Sequence, residues 1–339
     1  MAKVVITTSM FPEAVERLRA AGHAVAVHDG PLAPDARRSL AADALICPLS
    51  DRVDAELLEA APTLRVVANL GVGVDNIDLA AATARRILVT NTPDVLTEAT
   101  ADLGWALLLA AARRIVEADQ DLRRHGFPGW TFIPPHLGVD VYGRTLGVVG
   151  FGRIGQAMAR RDKGFAMEVL CFSRTRRPEA EGALGVRHTS LDELLRESDF
   201  VVLCVPLTRE THHLIGEREL ALMKSTAILV NIARGPVVDE RALVRALNAG
   251  RLRAAGLDVF EEEPRVHPDL IGMPNVVLTP HIGSATEATR RKMAELAVDG
   301  VLDVLAGRRP KHLVNPEAWP GKRNRKRGHG VESCGGGTG

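Results

Sequence analysis

The hexapeptide Gly150-Phe151-Gly152-Arg153-Ile154-Gly155 constrains this chain more than any other stretch, because of what flanks it. It follows the β-rich run Thr145–Val149 and opens a helical run reaching Gly164. A strand turning sharply into a helix needs one glycine for the turn itself. It needs a second where the backbone approaches an anion, and a third where helix and strand pack closely. The free N–H groups of the helix start then suit a pyrophosphate. The spacing alone would be weak, since glycine turns recur by chance; with strand before and helix after, it reads as a dinucleotide loop. Phe151, Gly152, Arg153 and Ile154 are accordingly candidate cofactor contacts.

Short β-rich runs alternate with helical ones on both sides of this loop. Val4–Thr7, Ala24–His28, Ala44–Cys47, Leu64–Asn69 and Leu88–Asn91 form one series. Thr145–Gly150, Glu168–Ser173, Phe200–Val205, Ala227–Asn231, Ala254–Phe260 and Val276–Thr279 form another. Such alternation predicts parallel sheets covered by helices on both faces, an α/β fold. At 339 residues the chain is too long for one ordinary core, and two domains are expected. A single long helix is predicted from Thr100 to Arg124, then a Pro- and Gly-rich loop over 126–142, and a last helix over Ala285–Ala306. Residues 320–339 pass from KRNRKR to a glycine-rich end and read as a disordered tail.

Composition closes off several functions. Lys+Arg 43 against Asp+Glu 42 leaves a net charge of +1, so no global field gathers nucleic acid. Cys47, Cys171 and Cys204 lie in apolar runs and Cys334 in the tail, with no CxxC pair; this suits a reducing cytoplasm and offers no metal site. The longest apolar stretch, Leu103–Ala112, is too short to span a bilayer, and the N-terminus lacks a signal-peptide pattern, so no membrane partner is expected.

Nicotinamide sites that take NAD usually place a carboxylate on the ribose 2′-hydroxyl about 20 residues beyond the loop. Here that region reads Ser173-Arg174-Thr175-Arg176-Arg177. With no carboxylate to repel a 2′-phosphate and guanidiniums ready to pair with it, NADP(H) is preferred and NAD(H) admitted. Ser173, Arg174 and Thr175 become cofactor candidates.

Three polar residues follow strand-like runs in the second series, where ligands of open α/β sheets bind. They are Arg234 in Asn231-Ile232-Ala233-Arg234-Gly235, Glu263 closing Asp258-Val259-Phe260-Glu261-Glu262-Glu263, and His281 in Thr279-Pro280-His281-Ile282-Gly283-Ser284. Singly each is weak, but their chemistry is complementary. Reducing a 2-oxo acid requires a cation for the carboxylate, a proton donor for the developing alkoxide, and a group that keeps the donor protonated. An arginine fork suits the first, a histidine titrating near neutrality the second, and a neighbouring carboxylate the third.

With these motifs in place the chain resembles the D-2-hydroxyacid dehydrogenase family, most closely its glyoxylate/hydroxypyruvate reductase branch. The matching stretches include LGVGVDNID (70–78), NTPDVLTEATADLGWALLLAAARR (91–114), GRTLGVVGFGRIGQAMARR (143–161), LVNIARGPVVDERAL (229–243), AAGLDVFEEEP (254–264) and LTPHIGSAT (278–286). The resemblance spans about residues 3–317. It implies a Rossmann cofactor domain (100–286) inserted into a flavodoxin-like substrate domain made of 1–99 and 287–319. It implies that Arg234, Glu263 and His281 are the catalytic residues, and that Val72, Gly73, Arg234 and Ser284 bind a small 2-oxo or 2-hydroxy acid. Thr100, Pro206, Ile232, Ala233, Arg234, Asp258, His281 and Gly283 would meet the cofactor. A homodimer is implied, with the helix from Thr100 and its following loop as the contact and Trp130 near a pocket. D-lactate and phosphoglycerate dehydrogenases, and an NAD(H)-sensing co-repressor, are the other occupations of such a chain. Asp162 departs from the family pattern and is expected to be solvated.

Overall fold

In a computed structural model, residues 1–320 are described; most of the expected tail lies outside the described residues. The first sheet is built from β1 (Lys3–Ile6), α1 (Pro12–Ala20), β2 (Ala24–Val27), α2 (Pro34–Arg38), β3 (Ala44–Pro48), α3 (Ala55–Glu59), β4 (Val66–Leu70), α4 (Leu79–Ala84) and β5 (Leu88–Thr90). All its strands are parallel, in the order β2-β1-β3-β4-β5, the flavodoxin-like arrangement. The apolar residues of β1, β3 and β4 are almost wholly buried, as parallel strands covered on both faces must be.

The chain then crosses to a second sheet through α5 (Thr97–Ala112) and α6 (Ile115–His125). There follow β6 (Thr145–Val149), α7 (Arg153–Arg160), β7 (Glu168–Phe172), α8 (Pro178–Leu184), β8 (Arg187–His188), α9 (Leu191–Glu197) and β9 (Phe200–Leu203). The series continues with α10 (Glu217–Leu222), β10 (Ile228–Asn231), α11 (Glu240–Asn248), β11 (Ala254–Leu257), α12 (Pro268–Gly272) and β12 (Val276–Leu278). The order β12-β11-β10-β9-β6-β7-β8 reverses direction between β6 and β9, the topological switch point of a doubly wound dinucleotide fold. Finally α13 (Glu287–Leu305) returns to the first sheet, where Ala294, Val298 and Val301 share a core with Val4, Ile46 and Val66.

Two local expectations need correction. The predicted single helix over Thr100–Arg124 is two, because Arg114 takes a left-handed conformation (φ 52°, ψ 39°) between them. The break separates different environments: α5 is buried under β10 and β11, whereas α6 has no buried residue. Arg114 Nη1 donates to the Pro135 carbonyl at 2.6 Å, fastening the following loop at the same corner. Asp162 is not solvated but 8 % exposed. Past α7 the backbone tightens into a 3-10 turn over Asp162–Phe165 that stacks Phe165 on Trp105 at 4.7 Å. That turn draws the Asp162 carboxyl inward, and burial pushes its pKa up.

Candidate active site

The glycine loop lies where β6 meets α7, beside the switch point. Gly150 has φ +99°, a left-handed value, and a Cβ on it would come within 2.7 Å of the Cys204 backbone. A Cβ on Gly155 would lie 2.0 Å from the Gly150 carbonyl oxygen, whereas one on Gly152 would meet open space. The loop is thus closed toward the protein and open toward a ligand. Among the described residues, the N–H groups of Arg153 and Ile154 find no acceptor; the first helical hydrogen bond runs from Gln156 to the Gly152 carbonyl. These features fit a dinucleotide pyrophosphate. Phe151 is buried, so only its backbone can reach a ligand, while Ile154 is half-buried against the same core. The Arg153 side chain pairs with Asp94 at 2.5 Å.

At the end of β7 the Ser173 hydroxyl donates to the Thr175 carbonyl at 2.7 Å, shaping a tight turn. Arg176 is committed to the nearly buried Glu181, whose carboxyl that guanidinium holds below the usual range against a smaller desolvation effect. Arg174 is exposed, its nearest carboxylate being Glu210 at 3.7 Å. Arg174, unlike Arg176, is therefore a guanidinium of this turn with room for an incoming phosphate, as is the exposed Arg177.

Beyond the strand ends of the second sheet, the three catalytic candidates converge. His281 Nδ1 lies 2.9 Å from Glu263 Oε2, and Glu263 Oε1 accepts the Phe260 N–H at 3.1 Å. Burial would raise the Glu263 carboxyl, but the hydrogen bond and charge of His281, the Phe260 N–H and the field of Arg234 outweigh it and hold the group below its ordinary value. His281 occupies the left-handed region (φ +54°), unusual for a non-glycine residue. Its N–H donates to the Asp258 carbonyl at 2.9 Å, which fixes that turn. The buried Asp258 carboxylate accepts from the Thr279 hydroxyl and from the N–H groups of Ile282 and Gly283, at 2.7 to 2.8 Å. Burial nevertheless raises its pKa. Thr100 sits against Gly283, 3.4 Å from where a Cβ would be. Pro206 accepts the Thr211 hydroxyl at the end of β9, and Ile232 and Ala233 are buried just after β10. Ser284 starts the turn into α13, its carbonyl accepting the Thr286 N–H at 2.9 Å.

The first sheet supplies the opposite wall. After β4 the turn Gly71–Asp75 is held by its carbonyls: Asn91 Nδ2 donates to Val72 at 2.8 Å and Asn69 Nδ2 to Gly73 at 2.7 Å. The N–H groups of Val72 and Gly73 have no acceptor among the described residues. Arg234 reaches across from the second sheet, and a Cβ on Gly73 would lie 2.0 Å from its Nη2. A guanidinium and two free N–H groups therefore face one small space, an arrangement suited to a carboxylate. Asp75, which holds Arg234 Nε, was not singled out from sequence; neither were Asn69 and Asn91. Their signal was proximity in sequence to the glycine turn and its flank.

A doubly wound cofactor sheet facing a flavodoxin-like sheet, with a histidine–carboxylate pair and an arginine between them, defines a nicotinamide-dependent oxidoreductase. The profile of the D-isomer specific 2-hydroxyacid dehydrogenase NAD binding domain matches residues 105–283. The chain is 59 % identical over 278 residues to the glyoxylate reductase of Thermococcus onnurineus, covering 81 % of this chain and 83 % of that protein. A Thermus thermophilus protein of known structure superposes with a TM-score of 0.85 at 48 % identity, covering 92 % and 99 % of the two chains. The Sinorhizobium meliloti NADPH-dependent glyoxylate/hydroxypyruvate reductase, solved with NADP and malonate, gives 0.82 at 34 % identity, covering 94 % and 98 %. The chain belongs to the D-isomer specific 2-hydroxyacid dehydrogenase family.

Proposed function

We propose that this dehydrogenase reduces glyoxylate and hydroxypyruvate to the corresponding 2-hydroxy acids with NADPH in preference to NADH. The observation that carries the reading is the joint placement of the His281–Glu263 hydrogen bond and the Arg234 guanidinium against the Gly73 turn. The names of the Thermococcus and Sinorhizobium relatives support the substrate, and the open Arg174 beside Ser173 supports the phosphorylated cofactor. The nicotinamide, when bound, supplies the hydride. Arg234 and the N–H groups of Val72 and Gly73 hold the substrate carboxylate and set the carbonyl's orientation. Glu263 engages His281 Nδ1, which leaves Nε2 as the nitrogen that gives its proton to the carbonyl oxygen as the carbon is reduced. Thr100, Pro206, Ile232, Ala233, Asp258 and Gly283 line the nicotinamide side, and Ser284 the substrate side. In this reading 1–99 with 287–319 act as the substrate unit and 100–286 as the cofactor unit, working in the cytoplasm.

The functional unit is a homodimer. Phe127, Trp130, Phe132 and Ile133 in the loop after α6 are each more than 70 % exposed, an apolar concentration a monomer rarely leaves in water. A second copy of the same loop and of α6 is the partner that covers it, bringing Trp130 to the neighbouring pocket.

One assay series tests the function: NADPH and NADH oxidation by the purified protein with glyoxylate, hydroxypyruvate, pyruvate and a phosphorylated 2-oxo acid. Glyoxylate and hydroxypyruvate should give the highest kcat/KM, with NADPH ahead of NADH. His281→Ala should lower kcat by about 10²- to 10⁴-fold while still binding NADPH. A higher kcat/KM with NADH overturns the cofactor assignment, and near-normal activity of the His281 variant overturns the proton donor.

A further inference from the structure

Arg234 has two of its three guanidinium nitrogens already committed. Nε donates to both carboxylate oxygens of Asp75, at 3.1 and 3.2 Å, and Nη1 donates to the Ala233 carbonyl at 2.8 Å. Nη2 alone makes no hydrogen bond among the described residues, and it is the nitrogen packed against Gly73. The guanidinium is therefore anchored through Nε and Nη1, and Nη2, with both of its N–H groups unbonded among the described residues, is the nitrogen set beside the Val72–Gly73 turn. Asp75 lies on the first sheet's turn and Arg234 on the second sheet, so the ion pair also spans the cleft. It is partly shielded, the two side chains being 20 % (Arg234) and 31 % (Asp75) exposed. Asp75 is itself in the crowd: a Cβ on Gly73 would meet its Oδ1 at 2.7 Å.

We infer that Asp75 is a positioning and specificity-determining residue: it orients Arg234 toward the substrate carboxylate and, by its own charge, limits the site to 2-oxo acids with one anionic group. The inference rests on Arg234 being the carboxylate binder. The charge count at the cradle gives its second half. One guanidinium and one carboxylate sum to zero, so a substrate monocarboxylate is met by Nη2 and by backbone dipoles. A second anionic group on the substrate would find the Asp75 charge close by with no spare cation, a like-charge contact that costs affinity.

Two variants separate the parts. Asp75→Ala frees the guanidinium to swing. It should raise KM for glyoxylate and weaken binding of the unreactive analogue oxamate by roughly 10- to 100-fold, the loss expected for a hydrogen bond to a charged group, while NADPH affinity stays unchanged. Asp75→Asn keeps an acceptor for Nε but removes the charge. It should recover most of the glyoxylate KM and raise kcat/KM for the dianionic oxaloacetate, relative to glyoxylate, by about tenfold. A packing role alone would lower thermal stability, cofactor binding and turnover together and would give no change in that ratio. Glyoxylate and oxamate constants unchanged in Asp75→Ala overturn the positioning, and an unchanged oxaloacetate-to-glyoxylate ratio in Asp75→Asn overturns the charge limit. If Asp75→Ala does not fold, the ratio in Asp75→Asn decides the matter. Arg234→Ala is the control. If it too leaves oxamate binding intact, the carboxylate role of Arg234 is what fails; if it abolishes binding while the Asp75 variants behave as wild type, the inference alone fails.

Discussion

Replacing Glu263 by glutamine removes one charge next to His281 and one of the two acceptors that the carboxylate offers. The amide has one acceptor oxygen where the carboxylate has two: if it keeps the Phe260 N–H, 3.1 Å from Oε1 in the wild type, its NH2 faces His281 Nδ1, 2.9 Å from Oε2, and a protonated ring loses its acceptor there as well. What goes is the attraction between a carboxylate and an imidazolium. At a charge separation of ~4 Å this is worth about 4 kcal/mol in an effective dielectric of about 20 and about 1 kcal/mol in water. The His281 and Glu263 side chains are 31 % and 36 % exposed, so solvent screens part of it. An intermediate ~1.5–3 kcal/mol is the appropriate scale. At about 1.4 kcal/mol per factor of ten, a loss of that size corresponds to roughly 10- to 100-fold where the proton donor limits the rate. The sign follows from the carboxylate: against the burial that would raise it, the hydrogen bond and charge of His281 help to hold the Glu263 carboxyl below its ordinary value. The pair is thus an attraction between opposite charges, and its loss should be felt most at alkaline pH, where protons are scarce. Measured as kcat/KM for NADPH-dependent glyoxylate reduction, the deficit of Glu263→Gln should be small near about pH 5.5 and reach about 10- to 100-fold near about pH 8. A variant profile that superimposes on that of the wild type, or a deficit independent of pH, would refute the assignment of Glu263 as the group that keeps the donor charged.

Three further outcomes follow from other parts of the molecule. Arg174→Ala should weaken NADPH by about tenfold or more while leaving NADH nearly unchanged, read from Kd by fluorescence titration; equal losses would assign Arg174 a structural role. Gly235→Ala should lower thermal stability severely and abolish activity, because its Cβ would fall 1.8 Å from the Phe260 carbonyl, a backbone group that cannot step aside. Burial would raise the Asp199 carboxyl, but its ion pair with Lys224 at 2.8 Å and the Thr145 N–H outweigh that and hold it below its ordinary value. A lowered carboxyl stabilises the fold above its unfolded pKa of about 4 and loses that contribution as pH falls through the folded value. Asp199→Asn should therefore reduce Tm at neutral pH and shrink the drop in Tm on acidification.

What the sequence made legible divides along a physical line. Both sheets could be read from alternating strand and helix runs, because a parallel strand must be apolar on both faces and its helix amphipathic; composition carries that signal locally. The glycine loop was legible too, since its fixed spacing falls between a strand-like run and a helical one that are adjacent in the chain. Some of the shortest elements were not. Strand β8 has two residues, and α2 and α12 have five each, too few to show a period. The break at Arg114 escaped because Ala111-Ala112-Arg113-Arg114-Ile115 contains no glycine or proline; the left-handed residue is set by how α5 is buried and α6 is not. Asp162 was misread because a lone aspartate looks solvated until the 3-10 turn that buries it is known.

The site itself was legible only in halves, and the reason lies in its construction. Glu263 and His281 are eighteen residues apart and bond within one sheet's edge, so the order of motifs already suggested them as a pair. Asp75 and Arg234 are 159 residues apart and meet across two sheets. No periodicity or local spacing relates them, and an aspartate two positions past a glycine reads as part of a turn. The contact exists because α13 carries the chain back to the first sheet, fixing where the Gly71–Asp75 turn can lie relative to the strand ends of the second. That split also explains the distribution of labour. The second sheet keeps the proposed proton donor and its carboxylate hydrogen-bonded together, whereas the proposed carboxylate cradle needs Gly73 from one sheet and Arg234 from the other. A proton-transfer pair that depended on the cleft would be lost whenever it opened for substrate. A carboxylate site shared across the cleft is complete where the two sheets are held together, as the Asp75–Arg234 pair holds them here, and a cleft held shut is also what excludes water.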